Sequence, residues 1–177
     1  MSINLSEETL SSRVVAEGRR LLFREDKVRL SNGVISHREI IVHPKAVVIL
    51  PLLDDGRVVL IRQYRTAAQQ VMLEVPAGVI ESGEDPEFAA QRELREETGY
   101  ASDHMVPLFQ GFPTPGFCTE YMYFFVANQL RSDPLTADFD EMIETVALSV
   151  DEAIALVANG GILDLKTIAA LYAVRSR

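Results

Sequence analysis

GVIESGEDPEFAAQRELREETGY, residues 78–100, is the stretch from which the rest of the chain can be read. Reduced to fixed positions it holds Gly78, Glu84, Arg92-Glu93-Leu94, Glu96-Glu97 and Gly99. At ordinary residue frequencies those eight positions recur by chance on the order of once in a billion windows, so the pattern needs a chemical reason. Asp85-Pro86 predicts a helix start, because Asp caps free N–H groups and Pro is tolerated in the first turn; Gly99 predicts its stop. The helix should run over 86–98, with Ala90 and Leu94 as its packing stripe. Glu93, Glu96 and Glu97 then project from neighbouring positions on one face. Such like-charged pairs cost about 0.2–0.5 kcal/mol each, a cost that a bound cation removes. Hard oxygen donors suit Mg²⁺ or Mn²⁺. A solvated acidic helix face is the plain alternative, but it leaves the spacing of Gly78 and Glu84 unexplained.

These positions resemble the Nudix box: glycine, five residues, glutamate, seven residues, Arg-Glu-aliphatic, one residue, Glu-Glu, one residue, glycine, aliphatic. Only the last position departs, with Tyr100 in a packing place. The resemblance implies a divalent-metal-dependent hydrolase that cleaves a diphosphate linked to another group.

The 177 residues are enough for one domain with a real core, and 47% hydrophobic with 24% charged residues is an ordinary globular balance. Disorder is expected at most in the first dozen residues. A formal net charge of −9 argues against nucleic acid as a partner, since phosphate backbones are bound by clustered Lys and Arg. Cys118 is the single cysteine, which fits a reducing compartment and reads as a packing residue rather than a nucleophile. The N-terminal MSINLSEETLSS lacks a basic region followed by an apolar core, and no stretch is apolar for long enough to span a membrane. A cytoplasmic protein without a membrane partner is expected.

Outward from the box, residues 13–43 read as extended segments around a turn at Ser31-Asn32-Gly33, a strong hairpin signal. A second hairpin is expected from AVVILPLL (46–53), a turn at Asp54-Asp55-Gly56, and RVVLIRQYR (57–65). The run 46–53 is apolar enough to be buried on both faces. Residues 71–78 read as one strand feeding the box. Further strands are expected at 105–112, 121–130 and 143–148, then a helix at 150–159 stopped by Gly160-Gly161, and a last helix capped by Asp164. Strands without regular β-α-β alternation point to an α+β layered fold. The resemblance sharpens this to an α/β/α sandwich with a mixed sheet. It is divided into an N-terminal β extension over 1–43, a dimerisation element, and a Nudix hydrolase domain over 44–177.

Three features resemble the ADP-ribose pyrophosphatase branch of the family. They are Arg62-Gln63-Tyr64-Arg65 closing a strand, Glu74-Val75-Pro76-Ala77-Gly78 entering the box, and Pro115-Gly116 with Glu120 in the downstream loop. Taken alone, Pro115-Gly116 is a plain turn, and Arg38 and Arg65 are surface charges. The resemblance places both arginines in a nucleotide pocket, with Pro115, Gly116 and Glu120 as further substrate-binding residues. It also implies a homodimer in which the extension crosses to the partner.

The roles implied are metal ligation by the Ala77 carbonyl, Glu93 and Glu97, with Glu96 a further ligand. Arg92 would orient a box glutamate, and Glu84 would fix the loop. Glu141, in the acidic loop Asp138-Phe139-Asp140-Glu141, is the candidate general base; a solvated loop is the plain alternative. The expected reaction is hydrolysis of ADP-ribose to AMP and ribose 5-phosphate with Mg²⁺, Mn²⁺ substituting. Alternatives are another nucleoside diphosphate sugar such as GDP-mannose, a non-catalytic nucleotide-sensing module, and cleansing of oxidised nucleoside triphosphates. The intact Glu93, Glu96 and Glu97 set argues against a sensor, and the downstream proline loop against the last.

Overall fold

The computed structural model describes residues 4–136 and 142–175 and divides the chain into two compact units. The smaller holds residues 1–45 and 112–121, the larger 46–111 and 122–177.

The smaller unit is an antiparallel meander of β1 (Glu7–Glu17), β2 (Leu22–Leu30) and β3 (Ile35–Val42), in the order β1-β2-β3. The turn expected at Ser31-Asn32-Gly33 forms: Gly33 takes φ 83°, and its N–H donates to the Leu30 carbonyl at 2.9 Å. Strand β1 begins at Glu7, earlier than the residue 13 expected, because Glu7 to Glu17 pair along the whole of β2. Residues 112–121 join this unit by a bridge between Ile41 and Cys118, where Thr119 N–H donates to the Ile41 carbonyl at 3.0 Å.

In the larger unit a mixed sheet runs β7 (Ala77–Val79), β4 (Ala46–Pro51), β9 (Met122–Ser132), β8 (Tyr100–Gly111). Strand β4 lies parallel to β9 and antiparallel to β7. Every residue of β4 is buried, as its unbroken apolar run requires. Alternate side chains go to opposite layers. Val47 and Ile49 pack with Ala89, Ala90 and Leu94 of α1 (Pro86–Thr98). Val48 and Leu50 pack with Val58 and Leu60 of β5 (Arg57–Arg65), Ala153 and Ile154 of α2 (Val150–Asn159), and Ala170 and Leu171 of α3 (Leu165–Arg175). Helices therefore cover both sides of the strand that carries the core, the layered α+β arrangement expected.

The second hairpin does not form as expected. The turn closes, with Gly56 N–H donating to the Leu53 carbonyl at 2.9 Å, and Leu52 bridges Val58. Beyond that the strands part, and β5 forms its own sheet with β10 (Ile143–Ser149) and β6 (Gln70–Glu74). Both strands are apolar on their facing sides, so stacking face to face buries more than pairing edge to edge. The single strand expected over 71–78 is also split, into β6 and β7, because Pro76 has no N–H to continue a ladder. Strand β8 starts at Tyr100, directly after the helix, because Gly99 turns the chain through φ 76°.

Candidate active site

The helix α1 forms where the sequence predicts. Asp85 caps it, accepting the Glu87 N–H at 2.9 Å, Pro86 opens it, and Gly99 closes it with a bond to the Arg95 carbonyl at 3.1 Å. Ala89, Ala90 and Leu94 anchor its buried face, which fixes where the glutamates point.

Arg92 is the hub of the polar face. Its Nη1 donates to Glu93 Oε1 at 2.7 Å and Glu96 Oε2 at 3.0 Å. Its Nε donates to Glu84 Oε1 at 3.0 Å, and Nη2 to Glu84 Oε2 at 3.1 Å and the Val79 carbonyl at 3.0 Å. Glu84 in turn accepts the Glu81 N–H at 2.9 Å, so it braces the loop that leads into the helix. Hydrogen bonding to Glu84, then to Glu93, holds the guanidinium well above its ordinary pKa; the Arg92 contact holds Glu84 below the usual glutamate range.

Glu97 is buried, 6% exposed, and its Oε2 accepts the Ala77 N–H at 2.9 Å. The sequence reading gave the Ala77 carbonyl and Glu97 to one metal ion; the structure adds a bond from the Ala77 amide to Glu97. Gly78 packs against Glu93 so closely that an added Cβ would lie 2.0 Å from the Glu93 carboxyl carbon. With any larger residue here, the end of the Glu93 side chain would have to move aside. Three carboxylates share one guanidinium here, Glu97 adds a fourth beside them, and all the donors are hard oxygens. The residues therefore fit a divalent cation. Among the described residues no three acidic, His or Cys side chains already converge as a metal cage, and Arg92 takes part of their charge.

Sequence reasoning missed the partners of Glu74, which is 2% exposed. Arg65 grips it at both ends, Nε to Oε1 and Nη2 to Oε2 at 2.8 Å each, and Lys166 Nζ pairs with it from α3. Burial pushes the Glu74 carboxyl up, but Arg65 and Lys166 more than offset that and leave it below its ordinary value. Arg65 is raised, first by Glu74, with smaller contributions from Glu97 and Asp164. The signal was present in the sequence: a glutamate inside the apolar strand VMLEV must find a partner.

Four of the remaining candidates belong to the smaller unit. Arg38, in the smaller unit, donates through Nε to Glu7 at 3.0 Å and through Nη1 to Ser36 Oγ and the His37 carbonyl at 3.0 Å each. Pro115 and Gly116 sit in a turn closed by Cys118 N–H on the Thr114 carbonyl at 3.1 Å. Glu120 Oε1 is 3.8 Å from His43 Nδ1. Arg38 and Glu120 thus engage different partners within their unit. Glu141 lies outside the described residues.

Known proteins resemble this chain in sequence and in fold. The NUDIX domain family profile matches residues 42–171. An ADP-ribose pyrophosphatase of Bacillus subtilis (strain 168) is 34% identical over 166 residues, 93% of this chain and 90% of that protein. A methanol dehydrogenase activator of Bacillus methanolicus is 36% identical, with 93% and 90% covered. A GDP-mannose pyrophosphatase of Yersinia pestis (strain Pestoides F) is 39% identical over 132 residues, 70% of this chain and 66% of that protein. Among solved structures, one described as an ADP compounds hydrolase superposes with a TM-score of 0.89 at 27% identity, covering 99% and 96% of the two chains. With its box built on α1, its glycine cradle under Glu93 and these relatives, the chain belongs to the NUDIX family and is a hydrolase of the divalent-metal type.

Proposed function

We propose that this chain hydrolyses the diphosphate bond of nucleoside diphosphate sugars with Mg²⁺, ADP-ribose being the preferred substrate and AMP and ribose 5-phosphate the products. The observation that carries the reading is the Glu93 carboxyl lodged against the bare Gly78 beside the Ala77–Glu97 bond, which gathers carboxylate charge at the box. Glu93, Glu97 and the Ala77 carbonyl would hold it, with Glu96 adding a further oxygen. Once bound, it supplies neutralisation of the phosphate oxygens and a water acidified toward neutral pH. The chain's own residues do the rest. Arg92 and Glu84 keep the carboxylates and the loop in register. Arg65 uses Nε and Nη2 on Glu74, and its side chain remains 41% exposed, which suits an edge that meets a phosphate. Glu141 takes the proton of the attacking water as the phosphorus–oxygen bridge breaks into two monoesters.

The test is a panel of ADP-ribose, GDP-mannose and related nucleotide sugars with Mg²⁺, scoring nucleoside monophosphate release and new monoester by phosphatase-coupled detection. ADP-ribose should give the highest kcat/KM. The 39% identity to a GDP-mannose pyrophosphatase favours a second reading, in which GDP-mannose leads the same panel. Absence of turnover on every diphosphate sugar sinks both. Glu141→Gln should lower kcat about 10²–10⁴-fold; a loss under about threefold returns the proton transfer to the box.

The same reading makes the protein a cytoplasmic homodimer without nucleic acid as a partner. Residues 1–43 would be the dimerisation element, with Arg38, Pro115, Gly116 and Glu120 completing the substrate pocket. Every residue of β1 is exposed, Leu10, Val14 and Val15 included, and an edge strand of that kind favours a covering partner. Light scattering at micromolar concentration should exceed the 19.7 kDa of one chain; a monomer refutes the dimer. Mixing Arg38→Ala with Glu97→Gln subunits should restore about a quarter to a half of the activity if Arg38 serves the neighbouring site.

A further inference from the structure

The segment 74–78, which carries the chain from β6 into β7, is fastened at each residue in turn. Glu74 is held by Arg65 and Lys166. Val75, fully buried, donates its N–H to Thr167 Oγ1 at 2.8 Å. Pro76 offers its carbonyl to the Ile49 N–H at 2.9 Å. Ala77 N–H reaches Glu97, and Gly78 lies against Glu93. The fastenings at Glu74 and Val75 draw on the first turn of α3. There Asp164 Oδ2 accepts from Thr167 N at 3.0 Å and from Thr167 Oγ1 at 2.5 Å, and lies 2.9 Å from Lys166 Nζ. A hydroxyl has one proton; because Asp164 takes it, Thr167 Oγ1 can only accept toward Val75.

We propose that Asp164, Lys166 and Thr167, together with Glu74, are positioning residues for the metal site, acting through the backbone of 75–78. The inference rests on the metal-dependent reading given above. Strand β6 pairs with β5 as far as Glu74 and β7 pairs with β4 from Ala77, so Val75 and Pro76 lie between the two ladders and the Val75 N–H has no strand partner. The Thr167 hydroxyl supplies the acceptor that a strand neighbour would otherwise give Val75. Two residues on, the same backbone sets where the Ala77 amide meets Glu97, and three residues on, where the bare Gly78 admits Glu93. Metal sites need their ligands held to within about 0.5 Å, and loss of an outer partner typically weakens metal binding about 10–100-fold.

Thr167→Val deletes the acceptor at nearly constant volume, whereas Thr167→Ser keeps it. Full-length wild type and both variants are titrated with Mn²⁺ alone, free Mn²⁺ being read by electron paramagnetic resonance, with thermal unfolding alongside. Thr167→Val should weaken Mn²⁺ binding about tenfold, and raise the Mn²⁺ needed for half-maximal rate in parallel. KM for the nucleotide sugar at saturating metal should stay within about twofold, and Thr167→Ser should return Mn²⁺ binding to near wild type. A folded Thr167→Val with wild-type Mn²⁺ affinity overturns the proposal, as does a Thr167→Ser that loses as much as Val. If Thr167→Val fails to fold, Asp164→Ala decides, since it frees the Thr167 hydroxyl from the edge of the cluster: weaker Mn²⁺ binding supports the proposal and unchanged binding overturns it. A wild type that binds no Mn²⁺ takes down the functional reading and the inference with it, whereas normal wild-type binding with insensitive variants sinks the inference alone.

Discussion

Two arginine–glutamate pairs, one in each unit, are built alike and mean different things. Arg38 meets Glu7, and Arg65 meets Glu74, each through Nε and Nη2 on the two carboxylate oxygens. In the first pair the side chains are 38% and 35% exposed; in the second the carboxylate is only 2% exposed. Water can replace either partner of Arg38–Glu7, so the pair adds little beyond local order. Glu74 has given up its water and depends on its cations, and a neighbouring turn of helix is organised around supplying one of them. Equivalent hydrogen-bond geometry thus carries weight in proportion to burial. The buried pair is also the one next in sequence to the proposed metal site.

That contrast can be pressed hardest at Glu97, a buried carboxylate proposed to serve the chemistry as well as the packing. Glu97→Gln keeps an acceptor for the Ala77 N–H but loses the charge, and should cut kcat about 10²-fold or more, about 2.7 kcal/mol of barrier, while the fold persists. Near-full turnover at saturating metal would place the site elsewhere. Next comes Gly78→Ala, which puts a methyl 2.0 Å from the Glu93 carboxyl carbon and must push that side chain aside. Mn²⁺ affinity should fall about 10-fold or more, with circular dichroism unchanged. Unaltered Mn²⁺ binding would mean that the cradle does not matter to the cation.

Glu74→Gln tests the pair itself. It should lower unfolding free energy by about 1–3 kcal/mol at pH 7, because Lys166 and Arg65 lose their shared counter-charge. Its pH dependence has a definite sign. The folded pKa lies below the ordinary 4.5, so the stabilisation is fully present above that value and is lost as pH falls through the folded pKa. The difference between wild type and Glu74→Gln should therefore be flat near neutrality and shrink below about pH 4.5; a gap that widens in acid would reverse the assignment. The smallest effect is expected for Glu7→Gln, whose thermal midpoint should be close to that of wild type and insensitive to added salt beyond the usual screening. A shift as large as that of Glu74→Gln would break the comparison.

The sequence by itself determined the helix α1 to the residue, because Asp85, Pro86 and Gly99 are local signals whose effect does not depend on the rest of the chain. It also gave the one-sided display of Glu93, Glu96 and Glu97, which follows from helical period alone, and the double burial of β4, which follows from an unbroken apolar run. Tertiary structure decided what local signals cannot carry. Whether 46–53 and 57–65 pair as a hairpin or stack as layers depends on the competing partners β9, β7, β10 and β6, which lie far along the chain or across a break. The partners of Glu74 are separated from it by nine and 92 residues, so their meeting is a property of the packed core and not of any motif. Composition demanded that a glutamate in an apolar strand be paired; only the fold could choose Arg65 and Lys166, because burial and reach are set when sheet and helix close on each other.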